Sequence, residues 1–315
     1  KRPTEPGRTS NLWFQRWLFR TGIGPGTYLV RIIIICLLIF TFLTPMLWLL
    51  TAMTKTNSQM INLPPFAIGS LEWIGHAWNN LLLYLNGVIV RWIVNSVQYT
   101  TLGLILSLLT AIPAGFVLAV VKFRGRRVVL WITLIMMLVP GDALVLPLYM
   151  EMFYLRIINT PWALVLPAAS FPMGVYLTFQ YFKASLPPDI IAAARVDGCS
   201  NFQLFRYIGL PLSKNIVGVL AFTNFAALWS NFFAATLLVD STQLKTLPAG
   251  ISIIVGGCGA VLPAATRCIM PPDGTTIARA EVALLGVIST LPVLIIYIVA
   301  QRLVIRGATA GAIKE

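Results

Sequence analysis

The sequence predicts an all-α integral membrane protein with six transmembrane helices and both termini in the cytoplasm. Three observations carry that expectation. Of 315 residues, 58% are hydrophobic and only 10% charged, whereas soluble domains run nearer a quarter charged. The apolar residues gather into six long runs. The excess of 23 Lys/Arg over 10 Asp/Glu, a net charge of +13, falls on one side of those runs. A mean hydropathy of +0.84 excludes disorder. Basic residues that flank apolar runs also speak against a nucleic-acid binder, whose cations gather on a polar globular face.

Crossing a ~30 Å hydrocarbon core takes roughly 20 apolar residues. The first run, 32–52, carries no charge. It exceeds the ~7–15 residues of a signal-peptide core and no clear cleavage site follows, so a retained helix is expected. The second, 92–121, opens on WIVNS and closes on the basic stretch KFRGRR. Within it Ala111, Gly115 and Ala119 form a small-residue row of the kind that lets helices approach closely. The third, 128–150, is interrupted by Pro140-Gly141-Asp142 and by Pro147. The fourth, fifth and sixth cover 162–182, 215–239 and 282–301.

Charge then chooses the sides. One side takes the N-terminal tail, the loop with Lys122, Arg124, Arg126 and Arg127, and the loop with Lys183, Arg195, Arg206 and Lys214. It also takes the C-terminal tail with Arg302, Arg306 and Lys314, for seventeen basic residues against four acidic ones. The other side balances at six against six. The first side is therefore cytoplasmic, and attraction to anionic lipid headgroups accounts for the charge.

Ionisable groups inside a membrane are costly and usually functional. Here Asp142 stands almost alone, at the point where the third run breaks. It lines a wet pathway or marks the outer end of a helix. A proton pump or ion-coupled carrier needs more such groups, so the driving energy is expected to enter elsewhere. Asn95, Gln98, Gln180, Asn224 and Asn231 are uncharged polar groups in or near spans. They suit either hydrogen bonds to a hydroxylated solute or interhelical bonds worth ~0.6 kcal/mol each. The single histidine, His76, has no Cys or His at ligand spacing, and no HExxH, GxSxG or P-loop pattern occurs. No catalytic residue, cofactor or metal is expected. Cys36 and Cys199 are expected as free thiols. Cys258 and Cys268 share one outer loop, where an oxidising compartment permits a disulfide and a reducing one leaves two thiols.

The segment between the fourth and fifth spans, SLPPDIIAAARVDGCSNFQLFRYIGLPLSKN, predicts a helical hairpin in the cytoplasm. Pro187-Pro188 and Asp189 suit a helix start, the Ala-rich run 190–196 a short helix, and Gly198 its stop. Ser200 with Gln203 forms a capping-box pattern for a second helix over 201–208. Phe202, Phe205 and Ile208 are spaced to share a face of it. A first arm of small residues suits a groove in a partner protein; an interfacial amphipathic loop is the alternative on these grounds alone.

This segment resembles the EAA loop of permease subunits from binding-protein-dependent ABC importers. That pattern is E-A-A, three residues, Gly, nine residues, then I-x-L-P. Ala193, Ala194, Gly198, Ile208, Leu210 and Pro211 match it at the required spacing, and Asp197-Gly198 and Leu186-Pro187 match its sugar-importer version. Ala192 stands where the pattern has Glu, so the polar contact that this Glu makes with the ATPase subunit lacks its carboxylate here. WIVNS at 92–96, AIPAGFVLAVVKFRGRR, PLYM, INT, WSNFFAATLLV, KTLPAG and the tail RGATAGAIKE are similar to the MalG-like carbohydrate branch, in family order. The resemblance runs over about residues 30–315.

It implies a MalG-like permease fold. A cytoplasmic tail (1–31) and a first helix with its external loop (32–91) would precede the permease core (92–303), and a second cytoplasmic tail (304–315) would follow. The core would contain the EAA loop (185–212) and an external loop (240–280). Asp189, Ala192, Ala193, Ala194, Asp197, Gly198, Ile208, Leu210 and Pro211 would couple to the ATPase. Asn95, Gln98, Asp142, Asn224 and Asn231 would be pathway candidates. The partners implied are a second, MalF-like permease, two ATP-binding subunits and an extracytoplasmic solute-binding protein that delivers a sugar-like substrate at a bacterial inner membrane. The 240–280 loop would reach into the binding protein, with Cys258 and Cys268 stiffening it, and residues 307–314 would touch the ATPase subunits. A channel needs no such hairpin, and a membrane enzyme acting on lipid or glycan needs more than Asp142.

Overall fold

A computed structural model describes residues 25–256 and 279–310, and the described residues contain helices and no strand. The helices that matter here are α1 (Pro25–Ala52), α2 (Glu72–Leu83), α3 (Val88–Val120), α4 (Arg126–Leu138), α5 (Val145–Tyr154), α6 (Pro172–Ser185), α7 (Pro188–Val196), α8 (Lys214–Ser230), α9 (Phe232–Leu238), α10 (Leu247–Gly256) and α11 (Arg279–Ala310).

The 33 residues of α3 reach ~50 Å at ~1.5 Å per residue, more than a bilayer core requires. It is the axis of the fold, packed on α6, α8 and α10. A row of small residues makes this possible: Gly103, Ser107, Ala111 and Gly115 recur every fourth position and all are buried. A Cβ on Gly115 would meet Thr178 Cβ at 2.5 Å and the Val175 carbonyl oxygen at 2.8 Å. One on Gly103 would meet Ala168 Cβ at 3.0 Å. Backbones come this close only where the side chain is absent.

Three apolar clusters surround the axis. Near the start of α3, Trp92, Ile89 and Val88 pack with Ala77 and Leu81 of α2, Leu247 and Leu284–Leu285. Near its end, Ile112, Phe116 and Val120 pack with Phe182, Leu186, Ala194, Leu204, Ile216 and Leu220. A third joins Val145 and Met152 of α5 to Ala163, Ala234 and Leu238. Two stretches of the surface are apolar: Ile33 to Phe42 of α1 and Trp131, Ile132 and Ile135 of α4 stand exposed, as lipid-facing residues do.

The six expected spans do not all appear as straight helices. Among the described residues four helices are long and apolar enough to cross, and six spans result only if each of two bent pairs counts as one. The third expected span, 128–150, is α4 followed by the helical segment Gly141–Tyr154 at 101°. Val139 is extended (φ −77°, ψ 122°), because a residue before proline is pushed out of the helical region. The fifth, 215–239, stops at Asn231 (φ −75°, ψ 76°) between α8 and α9. In the second bent pair, Asn201–Leu212 meets α8 at 72°, so its first member belongs to the hairpin described below.

Gly115→Val is expected to overpack the α3–α6 contact and to lower stability by ~1–3 kcal/mol or more, read as a lower thermal midpoint in detergent. Gly75→Ala, on α2 with nothing within 4 Å of the added Cβ, is expected to be neutral or to stabilise by up to ~1 kcal/mol.

Candidate functional site

The hairpin is built by local rules. Pro188 occupies the first turn of α7, with Asp189 beside it. At the other end Cys199 N–H donates to the Ala194 carbonyl (2.9 Å) and Gly198 N–H to that of Arg195 (3.1 Å). This is a Schellman stop, and Gly198 takes the left-handed conformation it requires (φ +79°). Ser200 Oγ then accepts from Gln203 N–H (3.2 Å) while Gln203 Oε1 accepts from Ser200 N–H (2.8 Å), a complete capping box. Arg195 ties the turn together by donating to the Cys199 carbonyl (3.1 Å) and to Asn201 Oδ1.

The second arm runs from Asn201 to Leu212 through a widened π-type turn at Phe205–Gly209. Gly209 lies against the Phe116 ring, 2.8 Å from where its Cβ would be. Phe205 meets the same ring at a centroid distance of 5.1 Å, and Phe182 meets it edge-on at 5.2 Å. Phe116 is thus a hub between α3, α6 and the hairpin.

Each arm therefore has two faces. Ala194 and Leu204 are buried and Ile191, Cys199, Phe205 and Ile208 half-buried in the cluster at the ends of α3, α6 and α8. Ala192, Ala193, Asp189, Asp197, Gly198, Leu210 and Pro211 are exposed, with Val196 87% and Phe202 68% exposed. Phe202 does not share the face of Phe205 and Ile208, a correction to the expected stripe; Leu204 takes the buried position of that turn instead.

At the other end of α3 a clasp joins two motifs 150 residues apart. Trp92 Nε1 donates to the Thr242 carbonyl (2.7 Å). The Asn95 amide donates to the carbonyls of Gln243 (2.8 Å) and Lys245 (3.0 Å). Leu247 N–H donates to Ser96 Oγ (2.7 Å). Gly250 lets α10 lie on the Trp92 ring, 2.1 Å from its missing Cβ position. Lys245 is itself buried and donates to the Val239 carbonyl (2.7 Å). Burial pushes its pKa below the ordinary lysine value, against the pull of Asp240.

The expected pathway residues separate into groups. Asn224 is buried and donates to Ser107 Oγ (2.5 Å), bonding α8 to α3. Asn95 belongs to the clasp, and Gln98 is exposed on α3. Asp142 and Asn231 come together: both line a pocket of about 320 Å³ with Gly141, Val145, Ala227 and Ser230. The two helix breaks thus face one space, and Asn231 Oδ1 caps α9 by accepting from Ala234 N–H (3.3 Å). His76 is exposed near Trp73. Cys258 and Cys268 lie outside the described residues. The roles of Ser96, Phe116 and Gly209 were not foreseen; the only sequence signal was the adjacency of Ser96 and Asn95.

Residues 111–310 match the model of the family described as binding-protein-dependent transport system inner membrane component. The chain is 31% identical over 229 residues to the arabinooligosaccharides transport system permease protein AraQ of Halalkalibacterium halodurans, covering 72% of this chain and 75% of the relative. It is 26% identical to the lactose transport system permease protein LacG of Rhizobium radiobacter over 291 residues, 91% of this chain and 96% of that one. Among solved structures, a chain of a bacterial ABC transporter involved in import of the acidic polysaccharide alginate superposes with a TM-score of 0.72 at 18% identity. That match covers 95% of this chain and 99% of the other.

Asn95→Ala is expected to strand two carbonyls and cost ~1–3 kcal/mol locally, and Asn95→Asp more, since its oxygens repel them. Hydrogen exchange should accelerate across residues 242–247 in both variants and remain slow in the hairpin.

Proposed function

The chain belongs to the family of binding-protein-dependent transport system inner membrane components, and from that premise we propose that it forms half of the translocation pathway of an ATP-driven importer. It is a multi-pass transport subunit, and ATP is hydrolysed on two separate subunits. A second, MalF-like permease completes the pore, and an extracytoplasmic binding protein delivers the solute. Relatives named for arabinooligosaccharide and lactose transport support a sugar-like substrate. The membrane is the bacterial inner membrane, with both termini and the hairpin on its cytoplasmic face, as the basic loops indicate.

What supports this role above all is the two-sided hairpin. Its exposed face of small and apolar residues fits a groove on an ATPase subunit, and its buried face is locked into the ends of α3, α6 and α8. A push on the exposed face therefore moves three helices together. In this scheme Asp189, Ala192, Ala193, Ala194, Asp197, Gly198, Ile208, Leu210 and Pro211 serve coupling. Asp142 and Asn231 offer a carboxylate and an amide to sugar hydroxyls at the paired helix breaks, and Asn95, Gln98 and Asn224 shape the wall. The 240–280 loop faces the binding protein, where a Cys258–Cys268 bond would stiffen it. Residues 307–314 reach the ATPase.

Purification of the chain from its source membrane should bring down an ATPase pair whose hydrolysis the binding protein stimulates. A clean preparation without either overturns the proposal. Gly198→Val places a β-branched residue at φ +79°, a strain of ~1–2 kcal/mol, though its Cβ meets nothing within 4 Å. Uptake in vesicles is expected to fall at least about tenfold while hydrolysis continues, and Gly198→Asn should retain most uptake. Normal uptake by the valine variant would remove the coupling role.

A further inference from the structure

Beside the hairpin lies a pocket of about 840 Å³ between α7 and the ends of α3 and α6. Lys122, Arg126, Lys183 and Arg195 line it and no carboxylate does. Three of the four cations hold only weak or neutral partners. Arg126 donates to the Ala119 carbonyl (3.2 Å), Arg195 to Cys199 and Asn201, and Lys183 Nζ stands 5.9 Å from the centre of the Phe179 ring. None has an acidic partner among the described residues. A second pocket of about 380 Å³ shares Lys122 and Arg126 and adds Arg127. Like charges gathered this way repel one another unless an anion sits among them.

The rest of the lining says which anion. Val120, Leu186 and Ile191 contribute apolar walls. Directly beyond Arg127 the exposed surface turns apolar through Val128, Val129, Trp131 and Ile132. The cations therefore sit where lipid-facing surface ends, and basic pockets between spans at that depth hold phosphate headgroups. We propose that this pocket binds a phosphate group, supplied by an anionic phospholipid whose acyl chains lie along α4, and that the bound lipid braces the hairpin against α3 and α6. The site rests on the membrane placement proposed above.

The test uses the assembled importer in phosphatidylcholine nanodiscs with and without phosphatidylglycerol, read by native mass spectrometry. The wild type is expected to retain phosphatidylglycerol selectively. Lys122→Gln/Lys183→Gln should weaken that retention about thirty-fold. Arg124→Gln/Lys214→Gln removes equal charge from the same face outside the pocket and should leave retention unchanged. Asn201→Asp keeps every cation but sets a carboxylate into the pocket, since Asn201 lines it, and should also expel the lipid. Equal retention in all four proteins overturns the site. No preference for phosphatidylglycerol over phosphatidylcholine in wild type, together with inorganic phosphate that binds wild type but not Lys122→Gln/Lys183→Gln, overturns the lipid as the source of the phosphate. Binding-protein-stimulated hydrolysis in the same preparations reports on the importer function, so a failure of one claim is distinguishable from a failure of the other.

Discussion

The close approach of α3 to α6 at Gly115 sets the spacing on which both ends of the molecule depend. With no side chain at that position, Thr178 and the Val175 carbonyl come within reach of the α3 backbone. Phe116, the next residue, is then held against Phe182 of α6 and Phe205 of the hairpin. Because α3 is continuous from Val88 to Val120, the residues that clasp the 242–247 segment and those that receive the hairpin belong to one rod. A displacement at one end has a physical route to the other.

Around this rod the remaining helices differ in how firmly they are made. α6 and α8 pack along it, and a buried hydrogen bond from Asn224 to Ser107 pins α8 to its middle. By contrast α4–α5 and α8–α9 are broken, and their breaks share the pocket of Asp142 and Asn231. Irregular backbone inside a membrane protein is tolerated where it is buried in protein or lines a wet cavity. The breaks therefore coincide with a place where a carboxylate and an amide line one pocket between spans. The hairpin sits at the opposite extreme, with both its stop and its second start satisfied by local hydrogen bonds. It can move as a unit without unravelling.

Much of this was legible in order of locality. The Schellman stop at Gly198 and the capping box at Ser200–Gln203 depend on five or six consecutive residues, and both stand where their patterns put them. The small-residue row was visible at Ala111 and Gly115, although it extends back to Gly103. The face of Phe202 was misjudged because a π-type turn three residues later changes the register of the arm. Asn95 looked equally suited to solute and to neighbour. Its acceptors, the carbonyls of Gln243 and Lys245, lie about 150 residues away and carry no mark in the sequence.

By itself the sequence determined that the chain is helical and apolar, that seventeen of its 23 cations fall in four of the stretches between and beyond the apolar runs, and that a capped hairpin interrupts those runs. These follow from hydropathy, charge and capping, which act between near neighbours. Only the tertiary structure decided that 128–150 turns through 101°, that Asp142 and Asn231 line one pocket, and that Trp92 and Asn95 hold the 242–247 segment. Only it gathered Lys122, Arg126, Lys183 and Arg195, drawn from three separate stretches of chain, around one pocket. Such placements depend on how closely backbones approach in three dimensions, and that distance is set by which residues lack a side chain at the crossing point.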